Sequence, residues 1–569
     1  MVSHWRGRLT ESIGAIDPRK CWLVVLNLFG IAITSVGQIV WRDVLNPDGL
    51  SYLDMGAHTV EKGPGSLLNL IWSPLYPAFI AAALSVLRPT PAHEIAVVHL
   101  VNELLVIGAS AACSWFIWMW IEANSYAFGM EGRGVLRFCI LSTFIYALFL
   151  WTAFSFIEVS NVTPDMIVMA TSFAGAACCY QIGKNPNSRL RYAVLGLILG
   201  VGYLGKAAMF AIGILLLLLV WIWPPGRSVR RRYFGITGAT FAVVAMPRIV
   251  GLSLKAGKPT IGEAGRLNLI WYNFSGAQFE GWTGDPPEYG TPVHPPRIIR
   301  SSPSVQEFNA PFEATYPLWY DPTYWNEGLN PPFVLRKIWE NSKVRLRQAW
   351  EIFTRKRALD WGFVILLFIR LVFWKQRWPD WHQLWLPGWG IATFGVFIAV
   401  YIEPRYVAAA TVLVWSAAYG LVMGDRTARV QQVAVCAVAV LLLAPMLQDT
   451  WHRIPSVRLF ISGKAPVGWA VRAASQLERA GLKPGDHIAT IGDSFTADYL
   501  RIARLHIVAQ VRDEDEWWKL SPERLAPIER AIGKAGARAL VARRKPASCE
   551  CPGWRVTGDA GVLVRFLDQ

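Results

Sequence analysis

The most regular feature of this 569-residue chain is the recurrence of long apolar runs separated by shorter polar ones. A helix rises 1.5 Å per residue, so about 20 apolar residues cross a bilayer. Runs of about that length, or somewhat shorter, lie near 21–41, 96–120, 135–157, 164–183, 190–204, 207–224, 233–252, 359–375, 383–402, 406–423 and 430–447. The stretch 190–224 is interrupted at Gly205-Lys206, which leaves each half short. The pattern predicts a polytopic α-helical membrane protein with about eleven spans. No small-residue cleavage site follows the run at 21–41, which therefore reads as an uncleaved first span.

Beyond residue 447 the period changes. β-like runs at His487–Ile491, Ile507–Val511, Ala539–Ala542 and Val562–Phe566 alternate with helical ones at Val467–Gly481 and Leu525–Gly536. This alternation predicts a small α/β domain over 448–569, outside the membrane. The expected organisation is a transmembrane domain over 1–447, carrying a first polar loop at 42–95 and a large one at 253–358, followed by that domain. Within the large loop, 333–358 is basic and amphipathic and is expected to lie along the membrane surface.

Composition narrows the class. Hydrophobic residues make up 53% and charged residues only 17%, against about a quarter charged in soluble proteins. That excludes a soluble enzyme and a disordered scaffold, and the helical length of the runs argues against a β-barrel. The 28 Trp suit anchoring at the membrane interface. Lys and Arg exceed Asp and Glu by 16, but the excess has a topological pattern. Arg6, Arg8, Arg19, Lys20, the segment Lys184–Arg191, Arg227, Arg230, Arg231, Arg232, the segment Lys375–Arg377, Arg426 and Arg429 fall before the first span and in alternate short connections. They mark the cytoplasmic side and its anionic lipid headgroups rather than a nucleic-acid surface. The connections 42–95, 158–163, 253–358 and 403–405, the turn at Lys206 and the tail then face outward.

Six of the eight Cys lie in or beside apolar runs, and Cys549 and Cys551 are too close for an unstrained disulfide and have no second pair for zinc. The nine His show no metal-ligand spacing, so no obligatory metal is inferred.

Candidate chemistry appears once polar residues are sorted by side. The first outer loop carries Asp43, Asp48 and Asp54; Asp165 opens the fourth span after Pro164; Lys206 sits at an outer turn. Glu403 and Arg405 occupy another, Tyr401-Ile-Glu-Pro-Arg-Tyr406. Each has a structural explanation: turn chemistry for Asp48, a helix-dipole partner for Asp165, snorkelling for Lys206, an ion pair for Glu403 and Arg405. Together, two acids and two cations on one membrane face suit a site with one general base and a bound phosphate. Ile491-Gly-Asp-Ser494 follows a strand as a serine-esterase block would, yet no Asn and no Asp-x-x-His pair follow it, so a capped turn is expected.

Over roughly residues 21–424 the chain carries, in order, Asp48-Gly-Leu-Ser-Tyr-Leu, Trp72-Ser-Pro-Leu-Tyr-Pro77, Pro164-Asp165, Gly196-Leu-Ile-Leu-Gly-Val-Gly-Tyr-Leu-Gly-Lys206 and Glu403-Pro-Arg-Tyr406. In these it resembles the C-type (GT-C) glycosyltransferases, in the bacterial branch similar to protein O-mannosyltransferases and lipid A aminoarabinose transferases. The resemblance implies a GT-C fold in the bacterial inner membrane, with active site and tail domain on the periplasmic side. It implies inverting transfer from a polyprenyl-phosphate sugar to a glycan, lipid or protein acceptor. Asp48 is implied as general base and Asp165 as the second acid. Lys206 and Arg405 are implied at the donor phosphate beside Glu403 and Tyr406, with further help from 333–358. Tyr52, Trp72 and Tyr76 are implied in the sugar or lipid groove, where they also suit interfacial anchoring. Some of the superfamily use a divalent cation at the donor phosphate. The first-loop motif reads Asp-Gly here, where many relatives carry Asp-Glu. Two rivals remain. A lipid-linked glycan transporter or flippase would place its ionisable groups near mid-membrane, and a non-catalytic envelope-assembly subunit would tolerate loss of Asp48.

Overall fold

A computed structural model of the chain describes residues 17–125, 134–222, 227–274, 282–308, 313–354, 381–423, 443–451, 468–546 and 552–567, with a few isolated positions between them. The apolar runs become helices: α1 (Pro18–Val40), α4 (Glu94–Ala123), α5 (Gly134–Thr152), α6 (Asp165–Lys184), α7 (Arg189–Gly205), α8 (Met209–Ile222), α9 (Arg227–Ala256), α12 (Trp381–Val400) and α13 (Ala408–Met423). Five described helical stretches are long and apolar enough to cross a membrane: Pro18–Val40, Pro91–Ala123, Gly134–Ile157, Asp165–Lys184 and Arg231–Ala256. The expected spans at 190–204, 207–224 and 406–423 are helices of 17, 14 and 16 residues, and the apolar part of α12 at 383–402 is the shorter Leu384–Val400, while 359–375 and 430–447 fall largely outside the described residues. Cys549 and Cys551 lie outside them as well. Aromatic rings fill the bundle, with Phe173 packed on both Phe116 and Phe149, a large apolar payload in fixed geometry.

At one end of the bundle the first polar loop folds into α2 (Pro47–Lys62) and α3 (Leu75–Leu87). Pro47 suits the first helical turn, where its missing N–H has no partner to lose. The large loop supplies α10 (Ala264–Asn273), two one-turn helices at Pro317–Tyr320 and Pro322–Trp325, and α11 (Leu335–Phe353).

The tail's β-like runs are strands: β3 (His487–Ile491), β4 (His506–Val511), β5 (Ala539–Ala542) and β7 (Leu563–Phe566). Its helical runs are α14 (Trp469–Arg479) and α15 (Pro522–Lys534). β3 lies parallel to both β4 and β5. The sheet also holds β6 (Arg555–Val556) and a hairpin from the large loop, β1 (Arg297–Ser301) and β2 (Ser304–Glu307), in the order β1-β2-β4-β3-β5-β7-β6. β2 pairs antiparallel with β4, Val305 opposite Val511, and so covers a strand edge that would otherwise be open. The α/β unit is therefore built from two distant stretches of chain. After β3 the Gly-Asp-Ser turn is capped as expected: Asp493 Oδ1 accepts from Phe495 N at 2.8 Å, and the buried Ser494 hydroxyl bonds Thr490 Oγ1 at 2.7 Å.

Two arginines tie this unit to the bundle. Arg501 Nε lies 2.7 Å from Asp54 Oδ1 on α2, and Arg501 Nη1 lies 2.9 Å from Glu94 Oε2 at the start of α4. Arg504 Nη2 reaches the other Glu94 oxygen at 2.9 Å, and Thr315 N donates to Asp54 Oδ2 at 2.8 Å. The Arg501 and Asp54 side chains are each only 7% exposed, so removing one strands the other's charge, a change that costs about 3–5 kcal/mol. Arg501→Ala should undock the α/β unit from α2, read as faster hydrogen exchange over β3 and β4.

Asp498, beside that turn, is pushed up to about 6 by burial. Because its folded value exceeds the unfolded one, its contribution to stability is fully present below about pH 4 and is lost as pH rises through about 6. Asp498→Asn, which keeps an acceptor for Tyr499 N, should raise the unfolding temperature at pH 7.5 and leave it unchanged at pH 4.

Candidate active site

Four segments deliver the ionisable groups to one place. Asp48 stands in the first turn of α2, and Asp165 is the first residue of α6; both positions favour an acid electrostatically. α7 ends at Gly205, where a Cβ would fall 2.6 Å from Ile167 Cγ2. That close approach sets the following residue, Lys206, in extended backbone beside the start of α6. Arg405 lies in the 3₁₀ turn Pro404–Val407 between α12 and α13.

The groups form one charge network. Lys206 Nζ is bonded to Asp165 Oδ1. Arg405 Nη1 donates to Asp48 Oδ2 at 2.8 Å and lies 4.0 Å from Asp165 Oδ2, while its Nε lies 2.6 Å from Glu403 Oε2. Tyr401 donates to Glu403 Oε1 at 2.8 Å. Lys206 Nζ sits 4.0 Å above the Tyr406 ring, and the Arg405 guanidinium lies 5.1 Å from it, a favourable cation–π arrangement.

A cavity of about 800 Å³ opens onto this network and is lined by Asp48, Lys206, Glu403, Arg405 and Tyr406. Asp165 stands behind the wall with no exposed side-chain surface. Tyr52 and Trp72 line the cavity, whereas Tyr76 does not. Tyr76 is fully buried, donates to Asn102 Oδ1 at 2.5 Å, and backs Tyr52 edge-on at 5.1 Å. Trp72 also braces the large loop, its Nε1 donating to Tyr320 O at 3.0 Å. Burial, with Asp48 and Asp165 nearby, pushes the Tyr52 phenol well above its ordinary range, so it stays a neutral donor.

The segment 333–358 does not reach the cavity with any described residue. Its buried Arg345 is consumed within the fold, donating to Tyr272 O at 2.7 Å and Asn273 Oδ1 at 3.0 Å. Its effect on the cavity is therefore indirect, through Tyr272, whose ring lies 3.5 Å from and nearly parallel to that of Tyr401. Both tyrosines line the cavity, although the sequence singled out neither as a site residue and named Tyr401 only as the start of the Glu403–Arg405 turn; Glu158, Trp319 from the large loop and Phe495 from the tail line it too and were not singled out. Glu158 had a usable signal, an acid directly after an apolar run. Trp319 and Phe495 had none, because their place depends on how the large loop and tail dock.

Among the described residues no group of three His, Cys, Asp or Glu could hold a metal ion. Asp48, Asp165 and Glu403 each face Arg405 or Lys206 instead. This donor set does not fit a divalent cation, and the positive charge at the site comes from side chains. Lys206→Ala would leave Asp165 buried with only Arg405 near it, and should lower stability by about 3–5 kcal/mol. Adding Asp165→Asn should restore part of that loss, as a double-mutant cycle of thermal unfolding in detergent would show.

No family model matches the chain, and neither does any curated protein. Among solved structures it is similar to ArnT from Cupriavidus metallidurans bound to undecaprenyl phosphate, with a TM-score of 0.49 and 14% identity over 95% of this chain and 97% of that one. It is also similar to the oligosaccharyltransferase AglB from Archaeoglobus fulgidus in complex with an inhibitory peptide and a dolichol-phosphate, with a TM-score of 0.45 and 11% identity over 92% of this chain and 69% of that one.

Proposed function

We propose that the protein is an inverting glycosyltransferase that moves a sugar from a polyprenyl-phosphate donor to an acceptor hydroxyl of a glycan, lipid or protein. The reaction would take place on the periplasmic side of a bacterial inner membrane. The observation that carries this reading is the meeting of Asp48, Asp165, Lys206 and Arg405, from four separate segments, at one large aromatic-walled cavity.

The chemistry follows from the groups. Arg405 offers a planar fork to phosphate oxygens and Lys206 a point charge. A phosphate arriving between them competes with Asp48 for the Arg405 guanidinium and frees the carboxylate. The acceptor oxygen attacks the anomeric carbon opposite the phosphate, and its proton passes to Asp48. The carbon–oxygen bond to phosphate breaks with its electron pair on the phosphate, whose growing charge the two cations stabilise. Asp165 serves as a positioning residue that holds Lys206 and, at longer range, Arg405. A transporter often shows repeated halves, and no internal repeat is evident in this sequence.

Asp48→Asn should cut transfer by about 10²–10⁴-fold in purified protein supplied with undecaprenyl-phosphate sugars, with donor binding still measurable. Near-normal turnover by this variant would overturn the mechanism. Arg405→Ala should instead weaken donor binding by about 10–100-fold, the loss of a charge-assisted contact.

A further inference from the structure

One carboxylate on the cavity wall has no part in the mechanism above. α5 runs into a π turn, Ala153–Ile157, and Glu158 follows it with left-handed backbone, φ +57°. Glu158, Ser155, Asn161 and Asn46 all line the cavity. π turns are rare and recur at functional sites, and a left-handed non-glycine residue persists only where its surroundings enforce it.

The surroundings here are specific. Gln38 Nε2 donates to Val159 O at 2.6 Å, Asn102 Nδ2 donates to Asn161 O at 3.3 Å, and Asn46 Oδ1 accepts from Val162 N at 2.8 Å. Three amide side chains, from α1, α4 and the residue before α2, thus pin the turn. Gly49, next to Asp48, lets it close in: a Cβ there would fall 2.6 Å from Val162 Cβ. The π turn also packs against the Pro404–Val407 turn that carries Arg405. Asn161 Nδ2 donates to Glu158 Oε2 at 3.2 Å. Ser155, only 3% exposed, has no hydrogen-bond partner for its Oγ among the described residues. A buried hydroxyl in that state carries an uncompensated desolvation cost, which a ligand in the cavity can offset.

This wall differs in chemistry from the Lys206–Arg405 wall. A carboxylate, two amides and a hydroxyl suit a ligand rich in O–H or N–H donors. We propose that Glu158, with Asn161 and Ser155, binds the sugar ring of the lipid-linked donor and accepts hydrogen bonds from its hydroxyls or from an amino substituent. The proposal rests on reading the cavity as a donor site. It makes Glu158 a specificity-determining residue: Arg405 and Lys206 hold the phosphate common to every donor, and the 155–161 turn reads what the phosphate carries.

The test compares two kinds of lipid on the full-length protein in nanodiscs. Undecaprenyl phosphate carries no sugar; undecaprenyl-phosphate glucose, mannose and 4-amino-4-deoxyarabinose form the second set, from which the tightest binder is taken. Glu158→Ala should weaken binding of the glycosylated lipid by about 10-fold or more while undecaprenyl phosphate binds within twofold of wild type. That unchanged binding also reports an intact fold. Glu158→Gln separates the two sources of donor hydrogens, sparing a neutral sugar but failing an amino sugar, whose ammonium needs the charge. Equal weakening of both lipids, or no change in either, would overturn the sugar-binding role. Failure of the wild-type protein to bind any of these lipids would instead overturn the donor reading beneath it.

Discussion

Asp165 has no solvent-exposed side-chain surface, and a carboxylate in that position costs several kcal/mol unless cations meet it. Lys206 and Arg405 do so from two separate, later segments of the chain. To bring them there, α7 must stop at Gly205 against the first turn of α6, and the turn between α12 and α13 must lie against the same point. Arg405 then reaches Asp48 at the start of α2. One buried charge thus organises neighbouring ends of several helices, and the cavity they surround inherits a pair of cations held at fixed spacing. Preorganisation of this kind, rather than flexibility, suits stabilisation of charge that develops during a reaction.

The remaining walls come from outside the bundle. Trp319 of the large loop and Phe495 of the tail meet edge to face, 5.2 Å apart, beside Trp72. Phe495 is presented by the tight turn after β3, and that turn is placed by the Arg501 clamp onto Asp54 and Glu94. The α/β unit is therefore part of the cavity, and its sheet is completed by the same loop that supplies Trp319. Loop, tail and first-loop helix hold one another in place.

Much of this was legible in the chain. Apolar periodicity placed the described helices, because the bilayer requirement acts on each segment alone. The tail strands were legible for the same reason, a local alternation read against turn residues. The charged candidates Asp48, Asp165, Lys206, Glu403 and Arg405 stood out because an ion beside an apolar run is costly. What could not be read depended on partners far away. The hairpin β1–β2 is short and charged, and it is a strand pair only because β4 offers an edge. Tyr76 shares the look of Tyr52 in sequence, yet helix rotation turns it toward Asn102. The segment 333–358 had the basic composition of a phosphate-binding stretch, but packing of α11 spends its buried Arg345 on Tyr272 O and Asn273 Oδ1.

The amino-acid sequence by itself determined where most of the described apolar helices lie and which ionisable groups stand at their ends. Those properties follow from hydropathy, turn chemistry and helix capping, which act over a few neighbouring residues. Only the tertiary structure decided which charge faces which. Asp48 and Arg405 are 357 positions apart, and no local rule relates them. Their pairing, and the separation of a cationic wall from the acidic 155–161 turn, depend on how closely helices approach, and that is set by glycines such as Gly49 and Gly205 meeting particular side chains across the bundle.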